Sequence, residues 1–366
     1  MTVPAVALLK RFLPEASLTY LIEEPYRRLV EGLPGVDRVL AVPAKQDRRD
    51  FIGLLRRVRA ERFDTVLDFH GGPRASWITA FSGARHKVGY AIRGKRFLYD
   101  VRVPRRPDEG KIHSVQTHAA LVRALGFAFD DAEIPPIVLP EPTADERRGV
   151  DGLLRETGLE TGRFAVLHIG AGNAYRDWGG KNHAGLLRLL GRTPDLKFAL
   201  IGGAGDKTRQ AEVIKDAVRS PGGLDPSRIA GFAGLLNLIE TKELIARAAL
   251  FVGPDSGPMH IASSTRTPIV ALFGPTDPAH FAPWRTEDRL TILQKDLDCR
   301  PCRQRGCVTE DYRCLMDITP AELIVNATCC TNAGATVLFA VMTIVVEALD
   351  GEITLPASGP DQPPVR

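Results

Sequence analysis

Within the stretch Phe251 to Pro278, FVGPDSGPMHIASSTRTPIVALFGPTDP, an acid, a hydroxyl, a glycine and an imidazole stand close together as Asp255, Ser256, Gly257 and His260. The chemistry such a set can do is anion capture beside a hydroxylated group. The apolar run ending at Gly253 predicts a buried strand, Asp255-Ser256-Gly257-Pro258 a sharp turn, Met259 to Ser264 a short helix, and Ile269 to Phe273 a second strand. Ser256 or Asp255 would cap the helix, Pro258 suits its first turn, and the amides left open there suit a phosphate. An acid beside a diphosphate would repel it, so Asp255 is expected to face the ligand's hydroxyls. Asp-Ser-Gly alone is equally what an ordinary capped helix shows.

Two other stretches repeat the pattern of strand then glycine turn. Phe164 to Ile169 runs into Gly170-Ala171-Gly172, where a backbone without side chains can approach a phosphate closely. Lys197 to Ile201 runs into Gly202-Gly203-Ala204-Gly205-Asp206, which places Asp206 at a strand end within reach of a ribose hydroxyl. In an open α/β sheet, ligands bind at such carboxyl ends.

D-S-G-P-M-H-I-A followed by F-G-P-T-D-P resembles the nucleotide-binding signature of glycosyltransferase family 9, the heptosyltransferases of lipopolysaccharide core synthesis, over residues 1 to 325. The resemblance implies the GT-B fold: α/β, two Rossmann-like domains facing a central cleft. It implies transfer of a heptose from an ADP-sugar to an anionic, lipid-linked saccharide. It places Ala171, Gly172, Arg176, Asp206, Leu236, Asp255, Ser256, Gly257 and His260 at the donor, with Arg176 on the diphosphate and Leu236 beside the purine. On the acceptor side it places His70, Arg74 and His113. Leucines spaced as Leu236, Leu238, Leu244 and Ile245 are also ordinary core, and a histidine at a strand end is often structural. The donor is a substrate, so no cofactor is expected and no metal is required.

The remaining elements must hold these groups in place. Met1 to Phe12 reads as a helix and is followed by strands at Ser17 to Ile22, Val36 to Val42 and Thr65 to Phe69, with a helix from Phe51 to Arg59. The strand at Thr65 ends in His70-Gly71-Gly72, toward the expected cleft. In the family a strand and a Gly-Asp loop precede a segment very like Met1-Thr2-Val3-Pro4-Ala5. The resemblance therefore implies that this first strand is lacking, together with the aspartate expected as general base, which leaves His70 as the substitute candidate. A gap or exposed strand edge is expected in the first sheet. The Pro-rich stretch from Asp130 to Pro142 approaches an interdomain linker, giving an acceptor-side domain over 1–157, a nucleotide-sugar domain over 158–325 and a tail over 326–366. Val337 to Val346 is apolar but too short to span a bilayer.

With 366 residues, 44% hydrophobic and 25% charged, the chain suits two soluble domains. The net charge of +4 carries no global nucleic-acid signal. Between Lys45 and Arg123, however, 18 Lys and Arg stand against 8 Asp and Glu, an excess of ten that suits an anionic partner, whether a phosphorylated glycolipid, a membrane surface or nucleic acid, or else a plain solvated surface. A cytoplasmic location is expected because no signal peptide or spanning segment is read. Cys299, Cys302, Cys307 and Cys314 are spaced more tightly than usual zinc pairs and read as reduced thiols. Two other readings stay open: a nucleotide-sugar 2-epimerase of the same architecture, and a nucleotide-sugar-binding remnant without catalysis.

Overall fold

A computed structural model of the chain describes residues 1–328 apart from 93, 95, 106–111, 171 and 286–288. The expected tail and the Val337 to Val346 run lie outside these residues. The first half runs α1 (Val3–Phe12), β1 (Thr19–Glu23), β2 (Arg38–Val42), α2 (Arg48–Ala60), β3 (Thr65–Leu67), α3 (Pro73–Phe81), β4 (His86–Tyr90), β5 (Val101–Val103) and α4 (Ser114–Arg123). The second half runs α5 (Ala144–Thr157), β6 (Phe164–His168), α6 (Gly180–Leu190), β7 (Lys197–Ile201), α7 (Lys207–Arg219), β8 (Ile229–Gly231), α8 (Leu238–Ala246) and β9 (Leu250–Pro254). It continues with α9 (Gly257–Ala262), β10 (Ile269–Phe273), α10 (Pro278–Phe281), β11 (Leu290–Gln294), α11 (Arg313–Met316) and α12 (Pro320–Thr328).

Strands β6 to β11 form one parallel sheet in the order β11-β10-β9-β6-β7-β8. This is the doubly wound order, in which the chain's direction of growth reverses between β6 and β9 and opens a crevice at their carboxyl ends. β6, β9 and β10 are buried at every position, because helices cover both faces of the sheet and polar alternation is lost. Leu167, Leu200, Val252 and Leu272 pack on one face, and Val166, Phe251, Ala271 and Phe273 on the other.

The first half is divided. β1 pairs β2 and β3-β4-β5 form a separate parallel sheet. Set against the second half, β1 and β3 stand where β7 and β9 stand, and among the described residues no strand occupies the place that β6 holds between them. β1 and β3 are accordingly only half-buried along their length, where their counterparts β7 and β9 are almost wholly sequestered. β1-β2 and β3-β4-β5 thus stand as two separate sheets. α1 and α4 pack together on one side of them through Ala5, Leu8, Leu9, Val115, Ala119 and Val122, while α2 and α3 close the other side over β1 and β2 through Leu54, Val58 and Ile78.

α5 opens on a capping box, with Thr143 Oγ1 accepting from the Glu146 amide and Glu146 Oε2 from the Thr143 amide. It ends at Gly158, whose φ of 62° is a left-handed cap. Its Val150 and Leu154 pack into the second sheet's cluster, so α5 associates with the second half although the sequence places it before the boundary at 157. Arg28 locks this arrangement by donating two bonds to Glu146, at 2.9 and 2.7 Å.

Candidate active site

The crevice between β6 and β9 collects the predicted donor residues. β9 ends at Pro254 and delivers Asp255, which is buried; the next residue, Ser256, stands at the N-cap position of α9. The expected cap does not form: the Ser256 hydroxyl is 3.1 Å from Nδ1 of His168, the last residue of β6. A bond across the switch point thus replaces a bond along the helix. His168 was not singled out from the sequence, and its signal is an imidazole at the carboxyl end of an otherwise apolar strand. Burial lowers its pKa to about 4, with Asp206 opposing, so it is neutral at pH 7.

Arg176, at the end of the 3-10 turn Ala174–Arg176, brings Nη1 to 3.2 Å from Asp255 Oδ2 and donates from it to the Asp255 carbonyl at 3.3 Å. Its Nε donates to Gln304 Oε1 at 3.1 Å, and Asn173 donates to the same oxygen at 2.7 Å. Gln304, in the cysteine-bearing loop, is a second residue that sequence reasoning missed, since nothing local ties it to a site 128 positions away. The Asp255 pKa is raised by burial, with Arg176 and Thr276 opposing. His260 Nε2 lies 3.8 Å from Asp255 Oδ1, and burial above all, with positive charge nearby, lowers the His260 pKa to about 3. His260 Nδ1 is buried without a hydrogen-bond partner, whereas Asp255 Oδ2 faces Arg176 and Thr276 is bonded to Asp255. A buried polar atom without a partner is costly unless a ligand completes it.

Around them there is room. A methyl group added at Gly172 or Gly257 would meet no atom within 4 Å, as expected of glycines left open for a ligand. Ala171 lies outside the described residues. Asp206 Oδ2 accepts from the Gly203 amide at 2.7 Å, closing its own turn. Leu236 packs against the second sheet's cluster, which contains Leu244 and Ile245; this supports its core reading.

The acceptor-side residues are more committed than expected. Arg74 donates to Glu23, Gln46 and the carbonyls of Pro43 and Ala44, so it ties α3 to the ends of β1 and β2. His113 is buried, accepts from the Val115 amide through Nδ1 and reaches the Ala282 carbonyl through Nε2 at 2.9 Å. Both ring nitrogens are spent on capping α4 and joining the two halves, which removes it from direct acceptor contact. His70 is exposed, but its Nδ1 accepts from the Gly72 amide at 3.0 Å. A neutral imidazole has one lone pair, and here it is engaged, so His70 is not poised as a base. Asp68 anchors this turn, accepting from the His70 and Gly71 amides and, at 2.6 Å, from the Tyr99 hydroxyl.

Among the described residues no three His, Cys, Asp or Glu side chains converge to hold a metal ion, and Cys299, Cys302, Cys307 and Cys314 are free thiols. The residues gathered here suit an anion and a polyol.

Two Rossmann-type halves and an anion-ready crevice at the switch point of the second define a GT-B glycosyltransferase. The chain belongs to glycosyltransferase family 9 (heptosyltransferase), whose profile matches residues 52–313. It is 22% identical to lipopolysaccharide heptosyltransferase 3 of Escherichia coli K12 over 90% of this chain and 93% of that one. It is 24% identical to lipopolysaccharide heptosyltransferase 1 of Pseudomonas aeruginosa over 87% of each. In fold it is similar to a family 9 glycosyl transferase from Veillonella parvula, with a TM-score of 0.73, 21% identity and 94% and 93% of the two chains covered. E. coli ADP-heptose lps heptosyltransferase II gives a TM-score of 0.67 at 20% identity, over 95% of each chain. Family membership decides for a glycosyltransferase over the epimerase.

Proposed function

We propose that the protein transfers a heptose from an ADP-activated donor to an anionic saccharide of the lipopolysaccharide inner core, at the cytoplasmic face of the membrane. The observation that carries this reading is Arg176 set 3.2 Å from the buried Asp255 carboxylate, beside His260, whose Nδ1 is buried without a hydrogen-bond partner. In transfer, an acceptor oxygen forms a bond to the anomeric carbon, the bond from that carbon to the diphosphate oxygen breaks, and the acceptor proton leaves to a base. Arg176 meets the charge that develops on the departing diphosphate, where a preorganised cation acts most strongly. Asp255 and neutral His260 hold the sugar hydroxyls in place. The proton acceptor is not assigned to a described residue. The relatives named above as lipopolysaccharide heptosyltransferases support the acceptor class, and the E. coli heptosyltransferase WaaC solved with ADP supports the nucleotide.

The test is release of ADP from ADP-heptose with and without a heptose-deficient lipopolysaccharide acceptor. Acceptor-dependent release is expected; no release with any acceptor, from protein that binds ADP, would leave only the non-catalytic reading.

A further inference from the structure

We infer that the outer face formed by α2 and α3 is a docking surface for an anionic lipid bilayer. The two helices lie side by side and run the same way. At one end Lys45, Arg48, Phe51, Arg74 and Trp77 line a groove of about 460 Å³. At the other, a methyl group added at Gly83, just past α3, would come within 3.5 Å of Arg59 on α2.

Along α2 the outward positions are Arg48, Arg49, Ile52, Arg56, Arg57 and Arg59, all exposed. Among the described residues none of these five arginines forms an ion pair. The cations elsewhere in this half are largely engaged: Arg38 with Glu61, Arg74 with Glu23 and Lys87 with Asp100. Among the described residues the acids of α2 are Asp47, which caps it, and Asp50; Glu61 at its end pairs with Arg38, and Glu23 beside the groove pairs with Arg74. Beside the arginines, α3 presents Trp77 and Phe81, stacked with ring centroids 5.7 Å apart and exposed by 42% and 49%; Ile52 is 47% exposed.

Exposed aromatic groups set in a field of unpaired arginines match the two layers of an anionic membrane surface. The rings enter the region of the headgroups and the guanidinium groups meet phosphates. Other occupants fit less well. Nucleic acid would use the arginines but leave Ile52 and Phe81 in water, and a second copy packed on this face would bring two arginine rows together. Because Arg74 is spent on backbone carbonyls, Lys45 and Arg48 are the cations the groove offers a headgroup.

The inference deepens the lipid-linked acceptor reading, but its test involves no sugar transfer. The full chain is floated with phosphatidylglycerol-containing vesicles, with phosphatidylcholine vesicles, and with the former at rising salt. Binding to the first only, weakened by salt and accompanied by a blue shift of emission that Trp77→Phe removes, is expected. Each arginine near such a surface contributes roughly fivefold in partitioning, so Arg48→Glu with Arg49→Glu and Arg56→Glu should lose binding by more than about a hundredfold. Trp77→Ser with Phe81→Ser should abolish what survives at high salt. ADP calorimetry on each variant reports that it has folded. The inference is overturned if folded wild type ignores anionic vesicles, if the variants bind as well as wild type, if single-stranded DNA is bound more tightly than vesicles, or if the face proves to mediate a dimer. In each case the transferase reading stands.

Discussion

One nitrogen of Arg176 serves Asp255 twice, 3.2 Å from its carboxylate and 3.3 Å from its carbonyl oxygen. The ion pair offsets the charge of a buried acid, and the proposed donor role requires Arg176 to exchange part of it for phosphate. Arg176→Ala should therefore weaken ADP far more than adenosine. A charge-assisted contact contributes about 1.5–3 kcal/mol, or roughly 10- to 150-fold. Equal losses for both ligands in calorimetry would show that Arg176 does not touch the diphosphate.

Asp255→Ala is expected to leave the protein folded and to bring sugar transfer close to zero, since it removes a positioned polar group without opening an apolar core. Turnover near that of wild type at saturating ADP-sugar would remove this residue from the site.

His70 spends its lone pair on the Gly72 amide. His70→Ala should lower kcat/KM by less than about a hundredfold, the bottom of the range for a lost general base. A loss of about a thousandfold or more would assign it that role.

Three buried imidazoles, His168, His183 and His260, have pKa values lowered mainly by burial, to about 4, 3 and 3. An unfolded chain takes up protons on them below about 6.5 while the folded chain resists. The unfolded state then holds more protons, so stability rises with pH across this window and falls as pH drops from about 6.5 toward 4. The slope is roughly 1.4 kcal/mol per pH unit for each imidazole still neutral when folded. Urea midpoints recorded over this range should decline steadily, and a flat profile would mean that these rings are hydrated.

Glu146 accepts two bonds from Arg28 and one from the Asn237 side chain, in a setting that is mostly buried. Glu146→Ala leaves the Arg28 guanidinium with only the Glu31 and Glu141 carbonyls and loses the capping box, and should cost about 3 kcal/mol. Arg28→Met with Glu146→Leu should recover most of it; no recovery in thermal melts would mean that the pair does more than fill space.

The parts of the fold that could be read from residues alone are those where burial is complete. β6, β7 and β10 appear in the sequence as unbroken apolar runs because water touches neither face, and α5 carries its capping box and its glycine stop on its surface. Asp255 and Gly257 were singled out by type and Arg176 by the resemblance, and the structure brings Arg176 to Asp255 at the start of α9. His168 and Gln304 were not, because each acts through a partner distant in sequence, Ser256 in one case and Arg176 in the other. His113 and Arg74 misled in a related way. Their types suit an acceptor, but unpaired carbonyls at Ala282, Pro43 and Ala44 compete for the same donors, and only the tertiary arrangement shows who is nearest.

His113 and His280 form a reciprocal pair: His113 Nε2 reaches the Ala282 carbonyl, and His280 Nδ1 reaches the Ile112 carbonyl at 2.6 Å. Two crossed bonds between the same two short segments behave as a hinge pin, resisting sliding of one half over the other while permitting rotation about the line that joins them. Any change in the angle between the two halves is then expected to pivot at this line. The segments at 112–113 and 280–282 should be the slowest interdomain backbone to exchange hydrogen, whether the crevice is filled or empty.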